Sequence, residues 1–212
     1  SSTDVIVFPA GAPRLTNNDI DGAAVAGIRI DGPGAGNLAY HLTGNPVTLI
    51  GATGVNFQSG TDSAGLGPIV ELPIQLGAAI SIANGGSVQA TVNNIDLSGN
   101  ALTLNSATQL NVAGSISGNG SITKTGTQAV LFEVPNTYTG VTQVNAGALR
   151  LIAIGTVNGT LGAAGSGNGT VIAKGAVLSI EGDLTSAEPF TIAGAGTGNG
   201  AIVATRSERP RT

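Results

Sequence analysis

The chain contains no cysteine, methionine or tryptophan and only one histidine among its 212 residues. Without cysteine no disulfide can stabilise the fold, and zinc sites built from several cysteine or histidine ligands are excluded by count. An intracellular enzyme of this length would usually contain at least one sulfur-bearing residue. The absence of both therefore favours an extracellular environment, where free thiols and thioethers are liabilities.

Charged residues are scarce as well, at 9% of the chain, and the formal net charge is -4. Three of the eight basic residues, Arg206, Arg209 and Arg211, lie in the last seven positions. The rest of the chain has no basic stripe to neutralise phosphates, so nucleic acid is not an expected partner. The 41% of hydrophobic residues is too high for a disordered polar chain.

Long apolar runs are missing too, so no transmembrane helix is expected within this chain. The first residues, Ser1 to Asp4, lack the basic and apolar regions of a signal peptide and are interpreted as a mature or trimmed terminus. Any membrane anchor or translocator would then lie outside the sequence.

Aromatic residues make up 3% of the chain, whereas glycine occurs 34 times. The core is therefore expected to consist of Val, Ile, Leu and Ala in a thin stack of strands without room for rings. Short apolar runs such as Asp4–Phe8, Ile69–Leu76 and Leu110–Ile116 are separated by Gly, Pro, Asn and Asp clusters. No stretch has a helical period uninterrupted by glycine, so the prediction is an all-β fold.

Internal repeats indicate how these strands are arranged. The segment Gly118–Lys124 recurs as Gly167–Lys174 with one inserted residue, and again in part from Gly198 to Val203. Units of this kind bury their apolar faces against their neighbours and form a continuous column. The Asn-Gly pairs also suit antiparallel hairpins, so the residues alone leave a β-sandwich or meander open.

The most informative stretch runs from Gly118 to Ala153. Its repeat pattern comprises Gly120, Ile122, Lys124, Gly126, Val130, Leu131, Asn136, Thr137, Tyr138, Thr139, Gly140, Thr142, Val144, Gly147, Leu149 and Leu151. This pattern resembles the autotransporter-associated β-strand repeat, also called the passenger-associated transport repeat, of bacterial surface proteins. Residues Phe132 to Pro135 depart from it, because such repeats usually carry a small polar turn there.

The resemblance implies a right-handed parallel β-helix presented outside a bacterial cell, with no catalytic residue to carry over. The helix is expected to occupy residues 1–205 in about nine irregular coils. Residues 206–212 contain nothing apolar to bury and are interpreted as a polar tail or linker.

Three groups of residues could in principle form a chemical site. Glu181 and Asp183 would share one face of a strand, as an acid and base of a polysaccharide-degrading enzyme could, but no stacking aromatics accompany them. His41 is interpreted as a surface or strand residue. The segment Asn17–Gly22 begins like a calcium loop, but Ile28 stands where the bidentate carboxylate would be needed. We therefore predict no catalytic, cofactor-binding or metal-binding residue.

The ends of the column suggest a function instead. An uncapped β-helix exposes unpaired backbone groups, and translation along its axis generates an open fibre. The residues expected at such a self-assembly edge are Val5 and Val7. The predicted protein is a non-catalytic, extracellular structural building block that stacks head-to-tail or meets other surface proteins. The alternatives are a monomeric adhesin that binds glycans or host surfaces, and a polysaccharide-degrading enzyme.

Overall fold

The computed structural model describes residues 4–11, 15–32, 39–58, 67–152, 160–182, 187–196 and 200–205. All regular structure in these ranges is β-strand, which confirms the all-β prediction. In chain order the strands are β1 (Val5–Phe8), β2 (Leu15–Asn18), β3 (Ala23–Ile30), β4 (His41–Gly44), β5 (Val47–Phe57), β6 (Ile69–Val70), β7 (Ile74–Leu76), β8 (Ile80–Asn84), β9 (Ala90–Val92), β10 (Ile95–Asp96), β11 (Leu102–Ser106), β12 (Leu110–Val112), β13 (Ile116–Ser117), β14 (Ile122–Thr125), β15 (Ala129–Phe132), β16 (Thr142–Val144), β17 (Ala148–Ile152), β18 (Thr170–Ile172), β19 (Val177–Glu181), β20 (Phe190–Ile192) and β21 (Ile202–Thr205).

The strands form two parallel sheets that wrap around one axis. Strands β1, β3, β5, β7, β8, β10, β11, β13, β14, β16, β18 and β20 form the first sheet, and the remaining nine form the second. The first sheet bends within β5, whose residues 47–49 pair with β7 and whose residues 55–57 pair with β8. It therefore covers two faces and the second sheet covers a third. This arrangement is the predicted parallel β-solenoid.

The coils differ in length, as the uneven spacing of the repeats suggested. Leu102 pairs with Ile122, 20 positions later, whereas Ala148 pairs with Val177, 29 positions later. Segment 153–159, within the longer coil, and the predicted tail 206–212 lie outside the described residues. The number of coils and the domain limits therefore stay predictions.

The core is a single apolar column inside the coils. Alternate strand residues point inward and stack on their equivalents in the next coil, as Ile80, Leu102 and Ile122 do along β8, β11 and β14. Such stacking removes apolar surface from water in every coil at roughly 25 cal/mol per Å². Because the column is continuous, each coil is stabilised mainly by its two neighbours.

The expectation that the interior has no room for rings is wrong. Tyr40, Phe57, Phe132 and Tyr138 are all buried in the core. Phe57 and Phe132 are the last residues of β5 and β15. At these positions the chain turns from one face to the next, and a larger side chain can occupy the corner.

Two of the predicted apolar runs each divide into two strands. Ile69–Leu76 contains β6 in the second sheet and β7 in the first, and Leu110–Ile116 divides in the same way between β12 and β13. The repeats also change faces. Gly118–Lys124 and Gly167–Lys174 lead into strands of the first sheet, but the copy before Ile202 leads into β21 of the second. Similar local sequence therefore does not determine which face a strand joins.

Candidate association surfaces at the ends of the solenoid

The first coil leaves one edge of β1 open. Within the described residues β1 pairs only with β3, which places Ile6 on Ile28 and Phe8 on Ile30. Ile28 is 2% exposed, whereas Ile6, in the same inward column, is 41% exposed because no described coil covers it. The end of the apolar core is therefore accessible at this edge.

The backbone of β1 shows which groups point toward the open edge. Asp31 N–H donates to the carbonyl of Phe8, so Phe8 and, two residues earlier, Ile6 direct their backbone groups toward β3. Backbone groups of alternate residues point to opposite sides of a strand, so those of Val5 and Val7 face the open side. Val5 and Val7 thus lie at this open edge, with their side chains on the outer surface opposite Gly27 and Arg29, and the self-assembly role expected for them stays a prediction.

The last coil has an equivalent edge on β20, which pairs only with β18 among the described residues. Its inward residues, Phe190 and Ile192, stack on Thr170 and Ile172. Ile172 is fully buried, but Ile192 is 49% exposed. The sequence reasoning missed this second edge, although the alternation in Phe190-Thr191-Ile192 is a strand signal.

The repeat motif lies in the middle of the column, away from both edges. Asn136 is buried and links three coils: its Oδ1 accepts a hydrogen bond from Ile116 N–H at 2.7 Å, and its Nδ2 donates to Thr160 O at 2.7 Å. Thr137 N–H donates to Ile116 O, and Thr139 Oγ1 donates to Asn119 Oδ1 at 2.8 Å. These contacts join neighbouring coils and leave no polar group of Asn136 available for a ligand.

Two motif glycines adopt backbone conformations that other residues rarely adopt. Gly126 has φ of +79°, and a Cβ atom there would lie 2.5 Å from Ser106 O. Gly140 has φ of +127°, and its Cβ would lie 2.4 Å from Gly120 O. Both glycines allow the coils to approach closely at a turn. Of the other motif residues, Gly147 immediately precedes β17, and Leu149 and Leu151 are core residues of that strand.

Lys124 is the one motif residue with a charged side chain, and it is fully buried. Its Nζ donates to the carbonyls of Thr125 at 2.6 Å, Gly126 at 2.9 Å and Ala146 at 3.0 Å. Burial lowers the pKa of Lys124 to about 8, because the ammonium loses hydration that the three carbonyls only partly replace. This lysine binds turn carbonyls of its own and the next coil instead of facing a solvent-accessible site.

Two hydrogen-bonded pairs of polar side chains also lie inside the column, toward the last coil. The Tyr138 hydroxyl is hydrogen bonded to Thr142 Oγ1, and Thr170 Oγ1 donates to Glu188 Oε1 at 2.8 Å. Burial raises the pKa of both Tyr138 and Glu188, because the ionised form of each side chain would lack the hydration it has in water. No local pattern predicts that Glu188 is buried, because Thr170, which it contacts, belongs to an earlier coil.

The other ionisable candidates are used in pairs on the outer surface. Glu181 accepts hydrogen bonds from Arg150, including one from Nε at 2.8 Å, and Asp183 lies outside the described residues. His41 lies at the start of β4 and contacts Glu71 through Nε2. Within the described ranges, no three His, Cys, Asp or Glu side chains gather where they could hold a metal ion. The same part of the chain has no helix of the length and apolarity needed to cross a membrane.

A shallow depression on the face formed by β7, β10 and β13 is lined partly by Gln75, Asn94 and Asp96. Asn94 Oδ1 accepts a hydrogen bond from Ser115 N–H, and Asp96 Oδ1 accepts one from Ser98 N–H. Gln75 Nε2 donates to the Ser98 hydroxyl at 3.2 Å. These side chains stabilise turns through hydrogen bonds. Their arrangement does not resemble a catalytic site for acid, base or nucleophilic chemistry.

Comparison with protein-family models, curated proteins and solved structures produced no match. The resemblance to the autotransporter-associated repeat therefore stays a prediction that rests on the residues quoted above.

Proposed function

We propose that this chain is a non-catalytic structural protein, a β-solenoid building block of a bacterial surface or secreted assembly outside the cell. Its copies stack head-to-tail into fibres. The observation that carries this proposal is that, among the described residues, β1 and β20 each pair with a single strand of the first sheet and have apolar inward residues. An open edge of this kind is a template for pairing with another chain.

The use of the polar side chains supports a non-catalytic role. The buried Lys124 and Asn136 are bonded to backbone groups, and the outer carboxylate of Glu181 is bonded to Arg150. Catalytic groups usually combine a perturbed pKa with access to substrate. Lys124, Tyr138 and Glu188 have perturbed pKa values, but all three are buried.

Electron microscopy of the 212-residue chain at neutral pH, without ligand, tests the stacking. Long filaments with an axial repeat near the length of one solenoid are expected. Val5→Lys and Val7→Lys place a charge on the open edge of β1 and are each expected to abolish the filaments. The matched control is Thr103→Lys, which adds the same charge to the outer face of β11, a strand paired on both sides. Filaments that persist in both edge variants would contradict this route.

A monomeric adhesin that binds glycans is the second candidate, and one feature favours it. Ser81, Thr103, Thr123 and Gln143 are in register on the outer face of the first sheet. They form an uncharged row of hydrogen-bonding groups about 4.8 Å apart, suited to the hydroxyls of an extended glycan. Isolated rods that bind a glycan array, and lose binding in the Thr103→Ala, Thr123→Ala double variant, would favour this function over stacking.

A further inference from the structure

We propose that copies of this chain join in a single register, through parallel pairing of β20 of one copy with β1 of the next. This inference rests on the head-to-tail stacking proposed above and adds the residues that meet. The register pairs three residues of β20 with three of β1: Phe190 with Ile6, Thr191 with Val7, and Ile192 with Phe8.

The alternation of side chains supports this pairing. Phe190 and Ile192 occupy the inward columns at the last coil, and Ile6 and Phe8 occupy them at the first. In the proposed register the exposed end of one core therefore covers the exposed end of the other. A shift by one residue would place inward side chains on outward ones and bring Phe190 above Val5 or Val7 instead.

The backbone groups are complementary in the same register. Thr170 N–H donates to Pro189 O, and Ala193 N–H donates to Ile172 O, so Thr191 lies between these bonds and faces β18. The backbone groups of Phe190 and Ile192 consequently face the open side of β20. On β1 the groups that face the open side are those of Val5 and Val7.

Parallel pairing with Phe190 opposite Ile6 pairs these groups in sequence as far as the Ile192 N–H. Phe190 N–H would donate to Val5 O, Val7 N–H to Phe190 O, and Ile192 N–H to Val7 O. This is the bonding pattern that each strand of the first sheet already uses toward the next, so the junction continues the existing ladder.

Shifts by two residues keep the alternation but fail for chemical reasons. If Phe190 lay opposite Phe8, its carbonyl would need the N–H of residue 9, which is Pro9 and has none. If Ile192 lay opposite Ile6, Phe190 would lie over Asp4 and desolvate its carboxylate at the end of the core. The register with Phe190 opposite Ile6 keeps Phe190 away from Asp4 and pairs the Phe190 carbonyl with Val7 N–H, so Pro9 leaves only the carbonyl of Ile192, at the end of β20, without a strand donor.

Disulfide trapping tests the register. Because the native chain has no cysteine, only the introduced thiols can form disulfides. In the double variant Val7→Cys, Thr191→Cys the two outward Cα atoms of adjacent copies would be about 5 Å apart, within disulfide range. In the offset control Val5→Cys, Thr191→Cys they would be about 8 Å apart, which is too far. The single variant Val7→Cys controls for contacts between the first coils of two copies. Such contacts would give a cross-linked dimer and no larger oligomer.

After oxidation and non-reducing electrophoresis we expect a ladder of covalent oligomers from the matched pair. The ladder should be lost in the offset pair. If all reduced variants form filaments but oxidation cross-links the offset pair, or cross-links neither pair, the proposed register is wrong. The proposal that copies stack head-to-tail would be unaffected by that result. If the unaltered chain forms no filaments, the stacking proposal itself fails and the register fails with it.

Discussion

Replacement of Asn136 by alanine should destabilise the solenoid at the point where three coils meet. The variant removes the acceptor of Ile116 N–H and the donor to Thr160 O, two buried hydrogen bonds of 2.7 Å each. A buried polar group left unsatisfied costs about 1–3 kcal/mol. Two such groups predict a loss of roughly 4 kcal/mol, a large fraction of the roughly 5–15 kcal/mol that stabilises a typical domain.

Urea denaturation followed by circular dichroism measures this loss, and hydrogen exchange locates it. The Ile116 amide, whose acceptor is deleted, should lose protection more than amides of distant coils, because each coil is stabilised by its neighbours. Asn105→Ala is the matched control, since Asn105 is an exposed asparagine of β11. A loss below about 1 kcal/mol for Asn136→Ala, or equal losses in the two variants, would refute the bridging role.

Two further predictions concern Lys124 and the turn that follows β14. Lys124 has a pKa near 8 in the folded chain and an ordinary one near 10.5 when unfolded, so between these values the unfolded chain binds more protons and stability rises with pH. The rise approaches roughly 3 kcal/mol, and urea titrations from pH 7 to 10.5 should show it in the native chain but not in Lys124→Met. Gly126→Ala should cost more than Gly175→Ala, because both glycines have similar positive φ but a Cβ atom contacts Ser106 O only at position 126. The φ penalty alone is about 1–2 kcal/mol, and equal melting temperatures for the two variants would contradict the steric argument.

Much of the fold could be predicted because its signals are local. The period of two in stretches such as Ile122–Thr125, broken by glycine, excludes helices from the residues alone. The repeats then favour stacked coils over a closed globule. The resemblance selected parallel over antiparallel pairing, and the registers agree with that choice throughout.

The errors have a common origin in contacts between coils. Rings were excluded from the core on composition, but Phe57 and Phe132 occupy corners that exist only once three faces meet. Ile69–Leu76 was interpreted as one run although Pro73 can end a strand, because a proline alone does not show that the chain changes sheets there. The edge at Phe190 was missed because exposure depends on which coil lies above a residue.

The sequence by itself determined the strand period, the turn positions and the apolar identity of the column, because these depend on each residue's own conformational preferences and on its immediate neighbours. Only the tertiary structure decided which sheet each strand joins, that Lys124 and Glu188 are buried, and that Phe190 lies at an open edge. Pairing partners in this fold are 19 to 29 positions apart. The decisive contacts are therefore set by coil length and register, which local patterns do not encode.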